Sequence, residues 1–557
     1  MHPIDGSRSA SAARLAPLAE GLYDLLVVGG GITGAGVARD AARRGLRVAL
    51  VERDDLASGT SSRSSRLVHG GVRYLEHGHL GLVFEASRER RTLLRTAPHL
   101  VRPLAFTWPV YRGARVPRWK LAAGLALYDA LALWGNVGRH RVLGGAGVLA
   151  REPALRRAGL AGGAAYWDAA TDDSRLTLAT ALGAERDGAT VRTHAEVARL
   201  AFAPDRDGAR LRATVRDRLG GGCAEVRARV VVNCAGPWAD AVRRLAEPGA
   251  PAAVLGAKGV HVLVPAARLG ARGALTLLGP RDGRVFFVLP AVGTGAEQFA
   301  VVGTTETPAD RGPADVRATA ADVAYLLDAA NTYLPDARLT PDDVVSAWAG
   351  LRPLAAHAAG ARGGTGSASR EHAVAVDGRG LVTVSGGKLT TYRAMAAAVV
   401  DACAPLLGAT RLPSSGTAGA VLPGGDLADV AAEVARATSA VGDAPVARRL
   451  VHAHGSAWDR VWALAAAEPV LAARVDPALP YVGAEFVHAA RHEHGRALAD
   501  LLVRRAPLAF ETRDAGRAAA RRVAALVAPA LGWDEAARAG ALAAYDAEAA
   551  RLFGVDA

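Results

Sequence analysis

Six consecutive residues, Gly29-Gly30-Gly31-Ile32-Thr33-Gly34, fit the spacing G-x-G-x-x-G, which can wrap backbone amides around a pyrophosphate. Gly29 can turn tightly, Gly31 lets the backbone approach a phosphate, and Gly34 lets a following helix sit close to its sheet. Glu52 follows Gly34 by 18 residues and is placed to accept hydrogen bonds from a ribose diol. Further on, the hydroxyls of Thr60, Ser61 and Ser62 and the run His69-Gly70-Gly71 could surround a nucleotide's phosphates and ring. These groups need elements to hold them. An apolar run at 25–28 reads as a buried parallel strand, 35–44 as a helix stopped by Gly45, and 47–51 as a second strand ending at Glu52. Strand, glycines, helix, strand and acid in that order within roughly 30 residues make a dinucleotide-binding βαβ unit.

A chain of 557 residues exceeds one ordinary core, so two or three domains are expected. Half of it is hydrophobic and 63 residues are glycine, which suits a large α/β enzyme. The net charge of +13 fits an anionic substrate or an anionic membrane surface. Nucleic acid fits less well, because no basic helix interleaved with aromatics and no binding signature is present. Cys223, Cys234 and Cys403 form no C-x-x-C pair, and a reducing cytoplasm is expected. Residues 1–21 lack an apolar core and read as a flexible tail, not a signal peptide. No uninterrupted apolar stretch of about 18 residues suggests a spanning helix.

Residues 102–157 carry ten basic side chains against Asp129 and Glu152, around the Trp-flanked segment 119–135. Tryptophans and cations bordering apolar residues suit a bilayer interface, and they equally suit a buried helix with a basic rim. Beyond this, 166–176 opens a helix with acids at its start, 191–200, 210–216 and 228–233 read as strands, and 233–238 resembles a second cofactor-facing turn. Segments 255–265, 284–290 and 298–303 read as an antiparallel sheet. A Gly/Pro/Ser-rich linker covers 408–425, and 426–557 reads as a helical domain with helices at 428–438, 447–453, 458–466, 485–506 and 512–531. His488, His492 and His494 read as solvated helix surface, with no metal expected.

VVGGGITGAG, TSSRSSRLVHGGVRYLEH, VVGTTE, GLRPL and VSGGKLTTYR together resemble the FAD-dependent glycerol-3-phosphate dehydrogenases of the respiratory, quinone-linked type. The resemblance runs in order from about residue 22 to the C-terminal segment. It implies an α/β fold: a FAD-binding, Rossmann-like two-dinucleotide-domain flavoprotein with an antiparallel-sheet substrate domain, interleaved over 22–407, and a C-terminal helical domain. It implies oxidation of sn-glycerol 3-phosphate to dihydroxyacetone phosphate on non-covalent FAD, with electrons passed to a membrane quinone. A peripheral location on the cytoplasmic face of the bacterial inner membrane follows, with segment 102–157 facing an anionic surface; a homodimer is an open expectation.

For the cofactor it implies Gly29, Gly31, Gly34, Glu52, Thr60, Ser61, Ser62, His69, Gly70, Val197, Gly236, Gly387, Leu389 and Thr390. A phosphate dianion needs fixed cations, and a guanidinium grips it through forked donors. Arg73, Tyr74 and Arg370 are therefore substrate-binding candidates and Arg352, Lys388 and His261 catalytic ones, with the general base left open among His261, Arg352 and a water. Arg66 stands where the family usually has lysine. Only three lysines occur, Lys120, Lys258 and Lys388, and two of them lie beside glycines in family-like motifs, which favours constrained roles. The competing expectations are a soluble glycerol-3-phosphate oxidase that uses oxygen and a FAD-dependent amine or amino-acid oxidase.

Overall fold

The computed structural model describes residues 14–290, 298–309, 311–355 and 372–557. The chain forms two compact units, each assembled from three separate stretches. The first takes the residues up to Ser62, then Ser174–Ala257 and Leu351–Pro423; the second takes Arg63–Asp173, Lys258–Gly350 and Gly424–Ala557.

The first unit is built on five parallel strands in the order Leu381–Ser385, Cys223–Asn233, Leu22–Val28, Val48–Val51 and Thr190–Arg192. Both faces of this sheet are covered at its centre, so 25–28, Val48–Val51 and 230–232 are apolar, buried and do not alternate. Leu25, Val27, Val48, Leu50, Val230 and Val232 face one core, shared with the helices Ile32–Arg43 and Tyr392–Cys403. Tyr23, Leu26, Val28, Ala49, Val51 and Val231 face the other, shared with the antiparallel strands Ala195–Phe202 and Leu211–Asp217. The sequence reading made 191–200 one strand. The structure breaks it at His194, whose φ of 51° turns the chain out of the parallel sheet into the antiparallel pair. Residues of the linker stretch are tied down: Ser415 and Thr417 donate hydroxyls to Asp40, and Arg39 donates to the carbonyls of Ala420 and Val421.

The second unit holds the three antiparallel strands expected from 255–303, extended to eight strands on its main path by Ala274–Leu278, Val101–Tyr111, Leu160–Thr171, Leu67–Val68 and Thr307–Pro308. Its core runs on into the C-terminal helices, where Phe486, Leu501, Leu502, Phe510 and Val523 share one apolar cluster with Phe106, Tyr166 and Trp348. The helix expected over 485–506 is interrupted. Gly483–His492 ends at Glu493, His494 adopts φ 58°, and a short π-helical turn follows at Asp500–Arg505. The carboxylate of Asp500 receives the amides of Arg496 and Ala497 and restarts the helix there. A last helix, Glu535–Phe553, also goes beyond the sequence reading.

Candidate functional site

In the first unit the expected residues converge at the C-terminal ends of the parallel strands, where open α/β sheets place their ligands. The helix begins at Ile32, three residues earlier than expected, with Gly31 as its N-cap, a residue with no side chain to close that end. Gly29 has φ 110°, and a Cβ there would lie 2.6 Å from the Cys234 carbonyl oxygen. A Cβ on Gly34 would lie 1.9 Å from the carbonyl oxygen of Gly29, so the helix start and the turn touch backbone to backbone. Gly31 differs: a Cβ would meet only Ser61 Oγ, at 3.3 Å, and one on Gly236 would meet nothing within 4 Å. Two glycines thus permit close packing and two border open space, which is what a phosphate-bearing ligand against backbone amides requires.

Glu52 sits beside this turn, 7% exposed. Its Oε2 accepts the Gly30 amide at 2.6 Å and its Oε1 accepts the Asp54 amide at 2.8 Å. Burial pushes its carboxyl up, and the two backbone amides oppose that shift. The acid expected to hold a ribose therefore also braces the glycine turn, with acceptor sites of its two oxygens remaining for a diol. Ser61 Oγ accepts the Ile32 amide at 3.0 Å, and Thr60 donates to the Leu351 carbonyl at 2.6 Å. Ser62 is buried with its hydroxyl on the Gly59 carbonyl, so it shapes the loop. Val197 belongs with its side chain to the apolar core, which leaves its backbone as the group it can offer a ligand.

Arg352 and Lys388 lie on adjoining segments of the same unit, because the Gly386 amide donates to the Pro353 carbonyl at 2.9 Å. Gly386 and Gly387 take φ of 73° and 93°, and Gly387 lies against Met395, where a Cβ would come within 2.5 Å of the sulfur. Leu389 and Thr390 then lead into the helix Tyr392–Cys403. Both cations are half-buried, with Lys388 Nζ and Arg352 Nη1 shielded from solvent. A shielded cation acts on an anion far more strongly than an exposed one.

The second unit contains the other group. His261 is 3% exposed, its Nε2 lies 2.8 Å from Ser65 Oγ, and its ring stacks on Trp348 at 5.5 Å. Gly303 makes room for it, since a Cβ there would lie 2.3 Å from the imidazole. Ser64 donates its amide and hydroxyl to Asp173, whose carboxyl is pushed up to about 6 by burial, with Arg66 opposing. Arg66 itself lies over Phe510 and Trp348. His69 and Tyr74 approach ring to ring at 6.4 Å, and the Gly70 amide donates to Asp168 at 2.9 Å. Arg73 lies in the short helix Val72–His77; Arg370 lies outside the described residues.

The sequence reading missed the support behind these groups. Asp168 Oδ1 receives the Tyr128 hydroxyl at 2.6 Å and the guanidinium of Arg90 together with the Gly70 amide, all buried. Gly70 can carry no side chain, since a Cβ would lie 2.2 Å from the Tyr128 hydroxyl. Nothing in the spacing of residues 70, 90, 128 and 168 signals this. Lys258, singled out for its rarity, forms a buried ion pair with Asp322 at 2.8 Å, and Asp322 also caps the helix Ala320–Tyr333. Its constraint is structural.

Comparison with known proteins adds to this geometry. The family model of FAD dependent oxidoreductases matches residues 24–393, and that of the C-terminal domain of alpha-glycerophosphate oxidase matches 415–538. Glycerol-3-phosphate dehydrogenase 2 of Mycobacterium tuberculosis is 40% identical over 96% of this chain and 90% of its own length. The human mitochondrial glycerol-3-phosphate dehydrogenase is 35% identical over 95% of this chain and 73% of its own. Among solved structures, the glycerol-3-phosphate dehydrogenase from Bacillus halodurans complexed with FAD superposes with a TM-score of 0.78 at 31% identity, covering 98% of each chain. With matches of this extent in both sequence and structure, the chain belongs to the FAD-dependent glycerol-3-phosphate dehydrogenases.

Proposed function

We propose that this enzyme oxidises sn-glycerol 3-phosphate to dihydroxyacetone phosphate with FAD as the electron acceptor and delivers the electrons to a membrane quinone. The observation that carries the reading is 40% identity to a glycerol-3-phosphate dehydrogenase over 96% of the chain. The glycine cradle fits the cofactor: amides at the start of Ile32–Arg43 face a space bordered by Gly31 and Gly236, and Glu52 provides ribose acceptors. Bound there, FAD supplies the two-electron chemistry that no side chain can. Gly29, Gly31, Gly34, Glu52 and Ser61 hold it by backbone and carboxylate without a covalent bond, with Gly236, Gly387, Leu389 and Thr390 lining its site.

The protein's own share is to orient the alcohol and manage charge. Arg352 and Lys388 grip the substrate phosphate and favour negative charge developing on the reacting oxygen. His261 is the proton acceptor we assign, because its ring is oriented from both sides by Ser65 and Trp348. Tyr74 and Arg73 belong to the same reading as substrate contacts.

The membrane assignment rests on a surface. Of the 14 large hydrophobic side chains that stand exposed among the described residues, eight fall between residues 80 and 142: Leu80, Phe84, Trp119, Leu127, Leu133, Trp134, Val137 and Val142. Trp119 is 74% exposed and Trp134 58%. Trp119 lies in the first turn of the helix Arg118–Leu131 and Trp134 just beyond its end; no other described helix matches it in exposed tryptophans, and it is too short to cross a bilayer. Arg115 and Lys120 both pair with Glu76, so of the cations counted there Arg139 and Arg141 are the better candidates for anionic lipid. Purified protein given glycerol 3-phosphate should reduce a soluble quinone analogue faster than it forms hydrogen peroxide from oxygen. Stoichiometric peroxide with no quinone reduction would make it an oxidase.

A further inference from the structure

Three metal-ligating side chains meet in the second unit, among the C-terminal helices. His454 ends the helix Ala444–His454, His488 lies one turn before the end of Gly483–His492, and Glu493 follows that helix. The sequence reading placed the histidines of 488–494 on solvated surface. His454, 34 residues before His488, changes that, and the break after His492 turns Glu493 inward.

One ligand atom from each lies within 4.8 Å of the others. Nδ1 of His454 is 3.5 Å and Nε2 of His488 is 3.9 Å from the same Glu493 Oε1. Ligands of a tetrahedral ion at about 2.0–2.2 Å stand roughly 3.3–3.6 Å apart, so the two histidine–carboxylate distances need shifts of a few tenths of an ångström, and the most widely separated ligand atoms, within 4.8 Å of each other, have to close by up to roughly an ångström. The two imidazoles stand nearly perpendicular, 87° at 5.4 Å, so their nitrogens converge without the rings stacking. The side chains of His454 and Glu493 are each 4% exposed and that of His488 17%, which leaves one side open to water. His492, exposed one helical turn from His488 with its ring 5.0 Å away, borders that side.

The surroundings have the form of a second coordination shell. Nε2 of His454 faces Glu485 Oε2 at 3.9 Å, and Glu485 is held by Arg449 Nε at 2.9 Å. Arg449, wholly buried, also donates to the Arg505 carbonyl at 2.9 Å, and Arg505 Nε donates to the Glu493 carbonyl at 2.8 Å. The ring of contacts runs from one ligand back to another, through the π-helical turn Asp500–Arg505, a geometry concentrated at functional sites.

We propose that His454, His488 and Glu493 bind one divalent cation of the zinc class, with water in the fourth position. Two imidazoles and a carboxylate suit zinc; calcium and magnesium prefer all-oxygen shells. The ion would tie the end of Ala444–His454 to the end of Gly483–His492.

The test uses the full-length, FAD-loaded protein with any purification tag removed. It is stripped with a chelator, given excess zinc chloride, desalted and assayed for zinc by elemental mass spectrometry. Wild type should retain close to one zinc per chain and melt a few degrees higher with it. His488→Gln and Glu493→Gln should each weaken zinc binding by about 10- to 100-fold or more at unchanged flavin content. Cobalt(II) added to stripped wild type should give visible ligand-field bands that zinc abolishes, a readout that needs no variant. Absence of those bands, no zinc retained by wild type, or wild-type zinc in either folded variant would overturn the site.

Discussion

Gly31 and Gly34 differ in what surrounds them, and that difference can be measured. A Cβ on Gly34 would lie 1.9 Å from the Gly29 carbonyl oxygen, so Gly34→Ala must push backbone from backbone. It should lower both folding yield and flavin content. Gly31 meets only Ser61 Oγ at 3.3 Å, so Gly31→Ala should fold and melt normally yet lose flavin, read as absorbance per mole of protein. Equal flavin in Gly31→Ala and wild type would remove Gly31 from the cofactor site. Arg352 tests the phosphate. In a variant fully loaded with FAD, Arg352→Ala should lower kcat/KM for glycerol 3-phosphate roughly 30- to 5,000-fold, since a shielded charge partner is worth ~2–5 kcal/mol. Arg352→Lys keeps the charge but not the fork and should remain clearly impaired; near-native kcat/KM in Arg352→Ala would contradict the assignment. Residues like these were readable because backbone geometry restricts which types can stand there. Ser65 was not: five serines crowd 58–65, and only the fold decides that Ser65 reaches His261, 196 positions on. The Asp168 network has the same origin, with partners 98, 78 and 40 residues away.

Elements were legible where their pattern was strong and lost where a single residue turned the chain. The βαβ start, the antiparallel strands and most C-terminal helices follow from apolar runs and helical spacing. The breaks at His194 and His494 do not, because non-glycine residues at positive φ are chosen by tertiary contacts. The helix Ala444–His454 carries a pH consequence. Burial, with Arg102 next, pushes the His452 imidazole down to about 3. Folded protein keeps His452 neutral, whereas the unfolded chain takes up a proton below about 6.5. The unfolded state then binds more protons, so this contribution to stability is complete above pH 6.5 and is lost progressively as pH falls toward 3. Each pKa unit is worth about 1.4 kcal/mol, and partial exposure of the ring trims the total to a few kcal/mol. His452→Gln should flatten the decline in denaturation midpoint between pH 7 and 4. An unchanged decline would show that other groups cause it.

The whole molecule carries a nucleotide-binding unit, a second unit with His261, and a group of exposed apolar side chains between residues 80 and 142. If that surface meets lipid, Trp119→Ser combined with Trp134→Ser should cut binding to anionic liposomes at least tenfold, since each indole adds roughly 1.5 kcal/mol or more on burial. Undiminished sedimentation with liposomes would move the contact elsewhere. By itself the charge of +13 leaves nucleic acid, membrane and substrate all open, because net charge does not say where charges lie. Everything else depends on the reaction. The most direct measurement is anaerobic addition of glycerol 3-phosphate to the purified yellow protein, following the flavin absorbance and counting the product. The oxidised-flavin absorbance should be lost with one dihydroxyacetone phosphate formed per flavin, and glycerol at the same concentration should have little effect. A flavin that stays oxidised in glycerol 3-phosphate, or is reduced equally well by glycerol, would contradict the proposed function.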